Sequence, residues 1–322
     1  MIKIGIIGLG NVAWNVHLPI LLSRKDIKIS WICDTKIDKK KIIEKKNIPY
    51  FNNLDSAIEL NNCDIALITV PYYERKKIFD KIKNNVKGIF FEKPFALNLN
   101  EHNYFSNNFN NYALTIGFQR RHMGIVKTIK NIIESNLFGP LSEIDINFGD
   151  IHYKFDGFRA DKNKAGGGIF FETGSHWIDT VLFTSKAIDI KDFSVKKISE
   201  DYLDVDSSGF FKINNENKSE IKCKFHITSL KNTSNKITYK FKNCSIDLFL
   251  FDDNSNLIVH NKDSSVFIIK NNEFHDFPNT SLGVGASYWS EFINSFKDKK
   301  ESEISINNFL LTSKIMQFFY EQ

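Results

Sequence analysis

The chain has 322 residues, long enough for two domains, and its 42% hydrophobic and 25% charged shares are those of an ordinary globular protein. A net charge of +5 is spread along it without a basic stripe or nucleic-acid motif, so it reads as a solvated surface that could also suit an anionic ligand. No apolar run approaches the roughly 18 residues needed to cross a membrane, no signal peptide precedes the first strand, and Cys33, Cys63, Cys223 and Cys244 form no C-x-x-C pair; a cytoplasmic protein without disulfides, structural zinc, nucleic acid or membrane contact is expected.

Ile2–Ile7 is a short apolar run suited to a buried parallel strand. Gly8-Leu9-Gly10-Asn11-Val12-Ala13 follows directly, and a helical pattern runs from Val12 to about Ser23. This is G-x-G-x-x-A between strand and helix, the context of a dinucleotide fingerprint. Gly8 serves the tight turn, Gly10 the approach of a pyrophosphate, and Ala13 the packing of helix on strand. The amides at the helix start, Asn11 and Val12, would then receive the pyrophosphate. The second strand, Lys28–Cys33, ends at Asp34, an acid placed to accept both adenosine ribose hydroxyls and to favour NAD over NADP. Thr35 and Lys36 beside it keep NADP as the second candidate, and Asp34 could instead cap a helix over Thr35–Lys46.

A short helix over Leu54–Leu60 precedes a strand over Asp64–Val70, which ends in Thr69-Val70-Pro71. A helix to about Lys83, a strand Lys87–Phe91 ending in Glu92-Lys93-Pro94, a helix Leu97–Phe109 and a strand Tyr112–Gly117 follow. Such alternation means a doubly wound parallel sheet, with ligands at the carboxyl ends of its strands. Gly8, Asp34, Thr69 and Lys93 all fall at such ends.

The second half opens with an amphipathic segment, Ile125–Ser135, broken by Gly139-Pro140, then a strand-like run Leu141–Tyr153 and a loop Asp156–Lys164 whose Arg159 could clamp a phosphate or carboxylate. In Gly166–Asp179, GGGIFFETGSHWID, three glycines allow something large to approach the backbone, and a helix begins. Glu172, His176 and Asp179 at i, i+4 and i+7 share one face of it, which marks the wall of a site. Strands are expected near Asp192–Ile198, Ser207–Ile213, Glu220–Thr228, Lys236–Phe241, Ser245–Leu250 and Val266–Ile269, and closing helices over Tyr288–Phe296 and Ile306–Tyr320.

These pieces together resemble the Gfo/Idh/MocA family of NAD(P)-dependent oxidoreductases. The resemblance rests on GLGNVA at 8–13, His17-Leu18-Pro19, Thr69-Val70-Pro71, Glu92-Lys93-Pro94, Gly117-Phe118-Gln119-Arg120-Arg121, Phe158-Arg159 and Gly166–Asp179, in the family's order. It implies an α/β protein: a dinucleotide-binding Rossmann domain over 1–120, then an α+β domain over 121–322 with a large, mostly antiparallel sheet. The first closing helix would return to the nucleotide domain. It implies homo-oligomers, dimers or tetramers, through that sheet, with Phe and Ile at alternate strand positions as interface candidates. In the family the EKP lysine and the G-x-H histidine are catalytic, which points to Lys93 and His176. The family's aspartate four residues before that histidine is Glu172 here. The Asn and His of its Pro-Asn-x-x-His are Tyr72 and Arg75.

The expected enzyme moves a hydride between NAD, or NADP, and a secondary alcohol or ketone of a sugar, nucleotide-linked sugar or cyclitol. His176 is the expected general base, because its reference pKa lies near operating pH. Lys93 would donate a hydrogen bond to the reacting oxygen, and Glu172 would orient His176 or touch substrate. Arg121, Arg159 and Asp179 join these as substrate contacts; Pro71 and Glu92 join Gly8, Gly10, Asn11, Val12, Asp34, Thr69 and Lys93 around the cofactor. A zinc site built from His152, Glu172 and His176 is disfavoured. A dinucleotide-sensing regulator and an NAD-assisted glycoside-cleaving enzyme are the rival readings.

Overall fold

The computed structural model describes residues 1–217, 219–250, 256–270 and 281–322. The chain divides into two units, Met1–Phe118 with Ser281–Phe309, and Gln119–Thr280 with Leu310–Gln322.

In the first unit the apolar runs become strands because each is covered on both faces. They are β1 (Ile2–Ile7), β2 (Ile27–Cys33), β3 (Tyr50–Phe51), β4 (Ile65–Ile68), β5 (Gly88–Phe91) and β6 (Ala113–Ile116). They form one parallel sheet in the order β3-β2-β1-β4-β5-β6. The glycine loop leads into a helix that starts at Asn11, widens to a π turn over Ala13–His17 and closes as α1 (Leu18–Ser23). The helix expected over Thr35–Lys46 is only α2 (Lys40–Glu44), because the chain after Asp34 first makes a turn. The two-residue strand β3 lacks the length for any periodic signal and had no counterpart in the sequence reading. The helices α3 (Leu54–Leu60), α4 (Tyr72–Ile82) and α5 (Leu99–Asn107) complete the winding. Asn53 and Asn98 cap α3 and α5 with their side-chain oxygens.

The second unit begins with α6 (Gly124–Glu134) and β7 (Leu141–Gly149). A wide π turn over Phe170–Gly174 runs into α7 (Ser175–Thr184). Then come β8 (Ala187–Glu200), β9 (Leu203–Asn215), β10 (Glu220–Thr228), β11 (Lys236–Phe241), β12 (Cys244–Phe249), β13 (Asn256–Asn261) and β14 (Val266–Lys270). Their sheet runs β14-β13-β12-β11-β7-β10-β9-β8, antiparallel except where β7 meets β10. The strand β13, among polar residues, was not anticipated. Strand alternation sorts the two faces. Ile144, Ile146, Phe148, Cys223, Phe225, Ile227, Ile237 and Tyr239 are buried. On that side Phe148 meets Trp177 of α7 with ring centroids 5.3 Å apart, and Phe225 meets Phe170 at 5.2 Å.

The other face carries ion pairs: Glu143 with Lys224 and Lys240, Asp145 with Lys240, Asp247 with Lys236, and Asp206 with His226. The alternate Phe and Ile positions on the buried face line the unit's own core, while Ile188, Ile198, Val266 and Ile268 of the same sheet are exposed. The exposed pairs among these contribute about 0–1 kcal/mol each; Asp247 is buried.

The segment α8 (Ser281–Asp298) belongs to the first unit, where Trp289 stacks on Phe90 of β5 at 4.6 Å. A short 3-10 turn, Ile306–Phe309, precedes α9 (Leu310–Glu321), which belongs to the second. No helix among the described residues is long and apolar enough to cross a membrane.

Burial of two histidines makes the fold acid-sensitive. Desolvation holds His102 down to about 4, and His122 to about 3 with help from Lys127 and Arg121. The unfolded chain takes up these protons at about 6.5. Both folded values are depressed, so the stabilisation is complete above pH 6.5 and is lost as pH falls towards 4 and then 3. The expected slope is about 1.4 kcal/mol per pH unit for each histidine in that window. Urea midpoints measured from pH 7 to 4 should fall steeply, and His102→Gln should flatten the fall; a slope unchanged in that variant would refute this assignment.

Candidate functional site

The glycine loop lies at the carboxyl end of β1. Gly8 has φ +90°, and a Cβ there would lie 3.0 Å from the Val70 amide nitrogen, so glycine serves both the turn and the close approach to the end of β4. Thr69 Oγ1 donates to the Gly8 carbonyl at 2.6 Å and ties the same two segments. A Cβ on Gly10 would meet nothing within 4 Å, so the loop presents open space in front of the first helical amides, Asn11 and Val12. That cradle fits a pyrophosphate.

Asp34 caps no helix. Its Oδ2 accepts from the Leu9 amide at 2.5 Å and its Oδ1 from the Lys36 amide at 2.7 Å, so the carboxylate is fixed beside the loop. A carboxylate oxygen can accept again, which leaves capacity for ribose hydroxyls. Lys39 donates to the Leu9 carbonyl at 2.8 Å and lies 4.9 Å from the centre of the Trp14 ring.

Lys93 follows β5, and the Lys93–Pro94 peptide is cis. Its surroundings give His17 and Arg75 their roles. Trp289 Nε1 donates to His17 Nδ1 at 2.9 Å, so the proton of neutral His17 sits on Nε2 and is given to Glu92 Oε1 at 2.8 Å. The other Glu92 oxygen accepts the Lys93 amide at 3.1 Å. The Glu92 carboxylate, expected at the cofactor, is thus engaged in holding the lysine's own backbone. Arg75 is only 3% exposed. It donates to the carbonyls of Val70 (3.2 Å), Glu92, Pro94 and Phe95 (3.1 Å). Pro71 is the N-cap residue of α4.

In the second unit the glycines before α7 are explained from within. A Cβ on Gly167 would overlap the Tyr320 ring, and one on Gly168 would overlap the Asp204 backbone. The close approach read as that of a ligand is, at these two positions, made by β9 and α9. Asp204 accepts from the amides of Gly168 (2.7 Å) and Phe170 (2.8 Å) and from the Tyr320 hydroxyl (2.7 Å). Burial raises its carboxyl above the usual range against these bonds. The only sequence signal for Asp204 was an acid between Leu203 and Val205, too weak to read as a brace.

The π turn then carries Glu172, 3% exposed, and the regular helix carries His176, 7% exposed. The uniform helix face expected for Glu172, His176 and Asp179 is interrupted between the first two, because the wide turn shifts the residue spacing. Arg159 Nε lies 3.2 Å from Glu172 Oε2, so these two predicted residues do meet. Tyr153 is pushed far up by burial and by the Glu172 charge. Arg121 and Asp179 meet each other, with Nε–Oδ2 at 3.0 Å and Nη2–Oδ1 at 2.6 Å, and Thr312 donates to Oδ1 at 3.1 Å. This bidentate pair is buried in the unit, with Asp179 only 1% exposed, and anchors α7 rather than presenting a free carboxylate. Arg120 stacks 4.7 Å over the Trp177 ring, and burial lowers its pKa to about 9. Among the described residues no group of three or more His, Cys, Asp or Glu is placed to hold a metal ion.

Comparison with known proteins gives two family matches. Residues 2–111 match the oxidoreductase family with the NAD-binding Rossmann fold, and residues 126–232 match the GFO/IDH/MocA C-terminal domain. Glucose-6-phosphate 3-dehydrogenase of Bacillus subtilis is 23% identical, over 100% of this chain and 96% of its own length. An oxidoreductase of Schizosaccharomyces pombe is 24% identical over 56% of this chain, and the match spans about half of it, 51%. A 3-ketoreductase of Actinomadura kijaniata, solved in complex with TDP-benzene and NADP, superposes with a TM-score of 0.77 at 14% identity, covering 98% of this chain and 95% of that one. With both halves of the chain matched in order, the protein belongs to the Gfo/Idh/MocA oxidoreductase family and carries its NAD-binding Rossmann domain.

Proposed function

We propose that the chain is an NAD(P)-dependent dehydrogenase or ketoreductase acting on a secondary alcohol or ketone of a sugar, nucleotide-linked sugar or cyclitol, with position 3 of a hexose ring as the first candidate. The observation that carries this is the alignment of four strand ends in one sheet. Asp34, the Gly8–Gly10 loop, Thr69 and Lys93 follow β2, β1, β4 and β5, which are neighbours in that order. Position 3 is favoured because a full-length relative is a 3-dehydrogenase and a structural neighbour is a 3-ketoreductase.

When bound, the nicotinamide supplies or accepts the hydride. The chain's own residues handle the oxygen and its proton. Lys93 donates a hydrogen bond to the substrate oxygen and stabilises the alkoxide charge that develops on it. His176 takes the hydroxyl proton during oxidation and returns it during reduction. Glu172, joined to Arg159, orients His176 or a neighbouring sugar hydroxyl. Arg121 and Asp179 hold α7 in place. Asp34 accepts the ribose hydroxyls, which favours NAD; Lys36 and Lys39 beside it make NADP the alternative.

Calorimetric titration with NADH and NADPH tests the cofactor half, after any carried-over nucleotide has been removed. Turnover of glucose 6-phosphate, UDP-glucose, TDP-glucose and myo-inositol with the preferred nucleotide tests the other half. Tight NADH binding and turnover of one of these compounds is the expected result. Binding of neither nucleotide by folded protein would exclude the proposed reaction.

A further inference from the structure

Two sets of contacts join the glycine loop to the segment carrying Lys93. The first runs through side chains already described: His17, on the helix that follows the loop, holds Glu92, and Glu92 holds the Lys93 amide. The second runs through Arg75. The loop rests on Thr69 and Val70, through the Thr69 hydroxyl on Gly8 and the fit of Gly8 against the Val70 amide. Arg75 then bonds the Val70 carbonyl on one side and those of Glu92, Pro94 and Phe95 on the other. The carbonyls of both neighbours of Lys93 are thus held by one guanidinium. Nε reaches the Val70 carbonyl and Nη1 the other three, so two nitrogens held in one rigid plane bridge the two segments, which the single nitrogen of an ammonium does not. The family pattern that the chain resembles has histidine at this place.

We propose that Arg75 is a positioning residue that couples the cofactor-bearing ends of β1 and β4 to the backbone of Lys93, so that a bound dinucleotide firms the segment from which the lysine acts. This role presupposes the cofactor and Lys93 assignments proposed above. Arg75 sits on α4 and acts through the carbonyls it binds. Filling the loop in front of Gly10 restrains Thr69 and Val70; through Arg75 the same restraint reaches residues 92–95. Contacts in series become coupling only when both ends respond together, and that is measurable.

The test is hydrogen–deuterium exchange, read by mass spectrometry, of peptides covering residues 8–14 and 88–97, in the whole protein with and without saturating NADH. In the unsubstituted chain NADH should slow exchange in both segments, by about fivefold or more. In Arg75→Met, NADH should still bind with an affinity within about threefold and still protect 8–14, while protection of 88–97 by NADH falls by about half or more, the route through His17 and Glu92 being intact. Arg75→Lys keeps the charge but not the fork, and should show a reduced response at 88–97. It decides the matter alone if the methionine variant does not fold. A wild-type response at 88–97 in the variant that folds would overturn the proposal, as would NADH binding that protects 8–14 but not 88–97 in the unsubstituted chain. Failure to bind NADH or NADPH at all would instead remove the cofactor assignment, and this role with it.

Discussion

Replacing Lys93 with alanine is expected to lower kcat by about 10²–10³-fold, and His176→Ala by about 10²–10⁴-fold, while NADH affinity stays within about tenfold in both. The asymmetry follows from what each group does. A hydrogen-bond donor to a developing alkoxide is needed only as charge appears, so its loss falls on kcat rather than on binding. A general base, which takes the proton in the same step, contributes a little more. Neither side chain is a member of the glycine loop, so the cofactor's phosphates and ribose keep their contacts. The measurement is steady-state turnover of whichever of the four test compounds reacts, with NADH affinity determined separately on each variant. Turnover unchanged in both variants would eliminate these residues as the reacting groups. A large fall in NADH affinity with kcat intact would reassign Lys93 to the cofactor alone.

The largest effect on stability is expected at the brace beneath α7. Asp204→Ala removes one carboxylate and leaves three donors, the Gly168 and Phe170 amides and the Tyr320 hydroxyl, without it in a buried place. An unsatisfied buried donor costs about 1–3 kcal/mol, so a loss of roughly 3–5 kcal/mol is expected. Gly168→Ala should cost a similar amount by another route. Its Cβ would overlap backbone atoms of Asp204, which cannot turn aside as a flexible side chain can. Asp204→Asn keeps the shape and one acceptor and should cost less than either. Urea unfolding of the three variants gives the order; a stable Asp204→Ala variant would show that the start of the helix stands without its brace. Because Glu172 lies on the turn so braced, turnover in Asp204→Asn should fall further than the loss of folded protein explains.

Much of the fold could be read in the sequence because its signals are local. Ile2–Ile7, Leu54–Leu60, Glu220–Thr228 and Lys236–Phe241 carry their hydrophobic period within themselves and appear with those bounds. The glycine loop and the segment around Lys93 announce themselves through residue types at fixed spacing. What was not legible depends on partners far away in the chain. Thr35–Lys46 has helix-forming residues, yet the turn after Asp34, fixed by the Leu9 and Lys36 amides, delays the helix to Lys40. The glycines at 167 and 168 looked like space for a ligand because Asp204 and Tyr320, which fill it, lie some 36 and 150 residues later. Arg121 and Asp179 were each chosen as polar groups near a site; only the folded chain shows that each is the other's partner. Arg75 was visible as a departure from the family pattern, but its four carbonyl acceptors carry no side-chain signature at all.

The first unit is built from two stretches of chain with the whole large sheet of the second lying between them in sequence. On a ribosome the strands of the nucleotide fold emerge early, but Trp289, which covers Phe90 and fixes the proton of His17, is made only after β14. Until then Phe90 of β5 has His17 beside it but not the cover of Tyr288, Trp289 and Phe292, and the imidazole that steadies Glu92 lacks its indole donor. The first unit thus receives its last helix only after the strands of the second have been made, which departs from the usual order of one finished domain after another. The indole that sets the His17 proton, and through Glu92 the loop bearing Lys93, is therefore among the last parts of the molecule to be added.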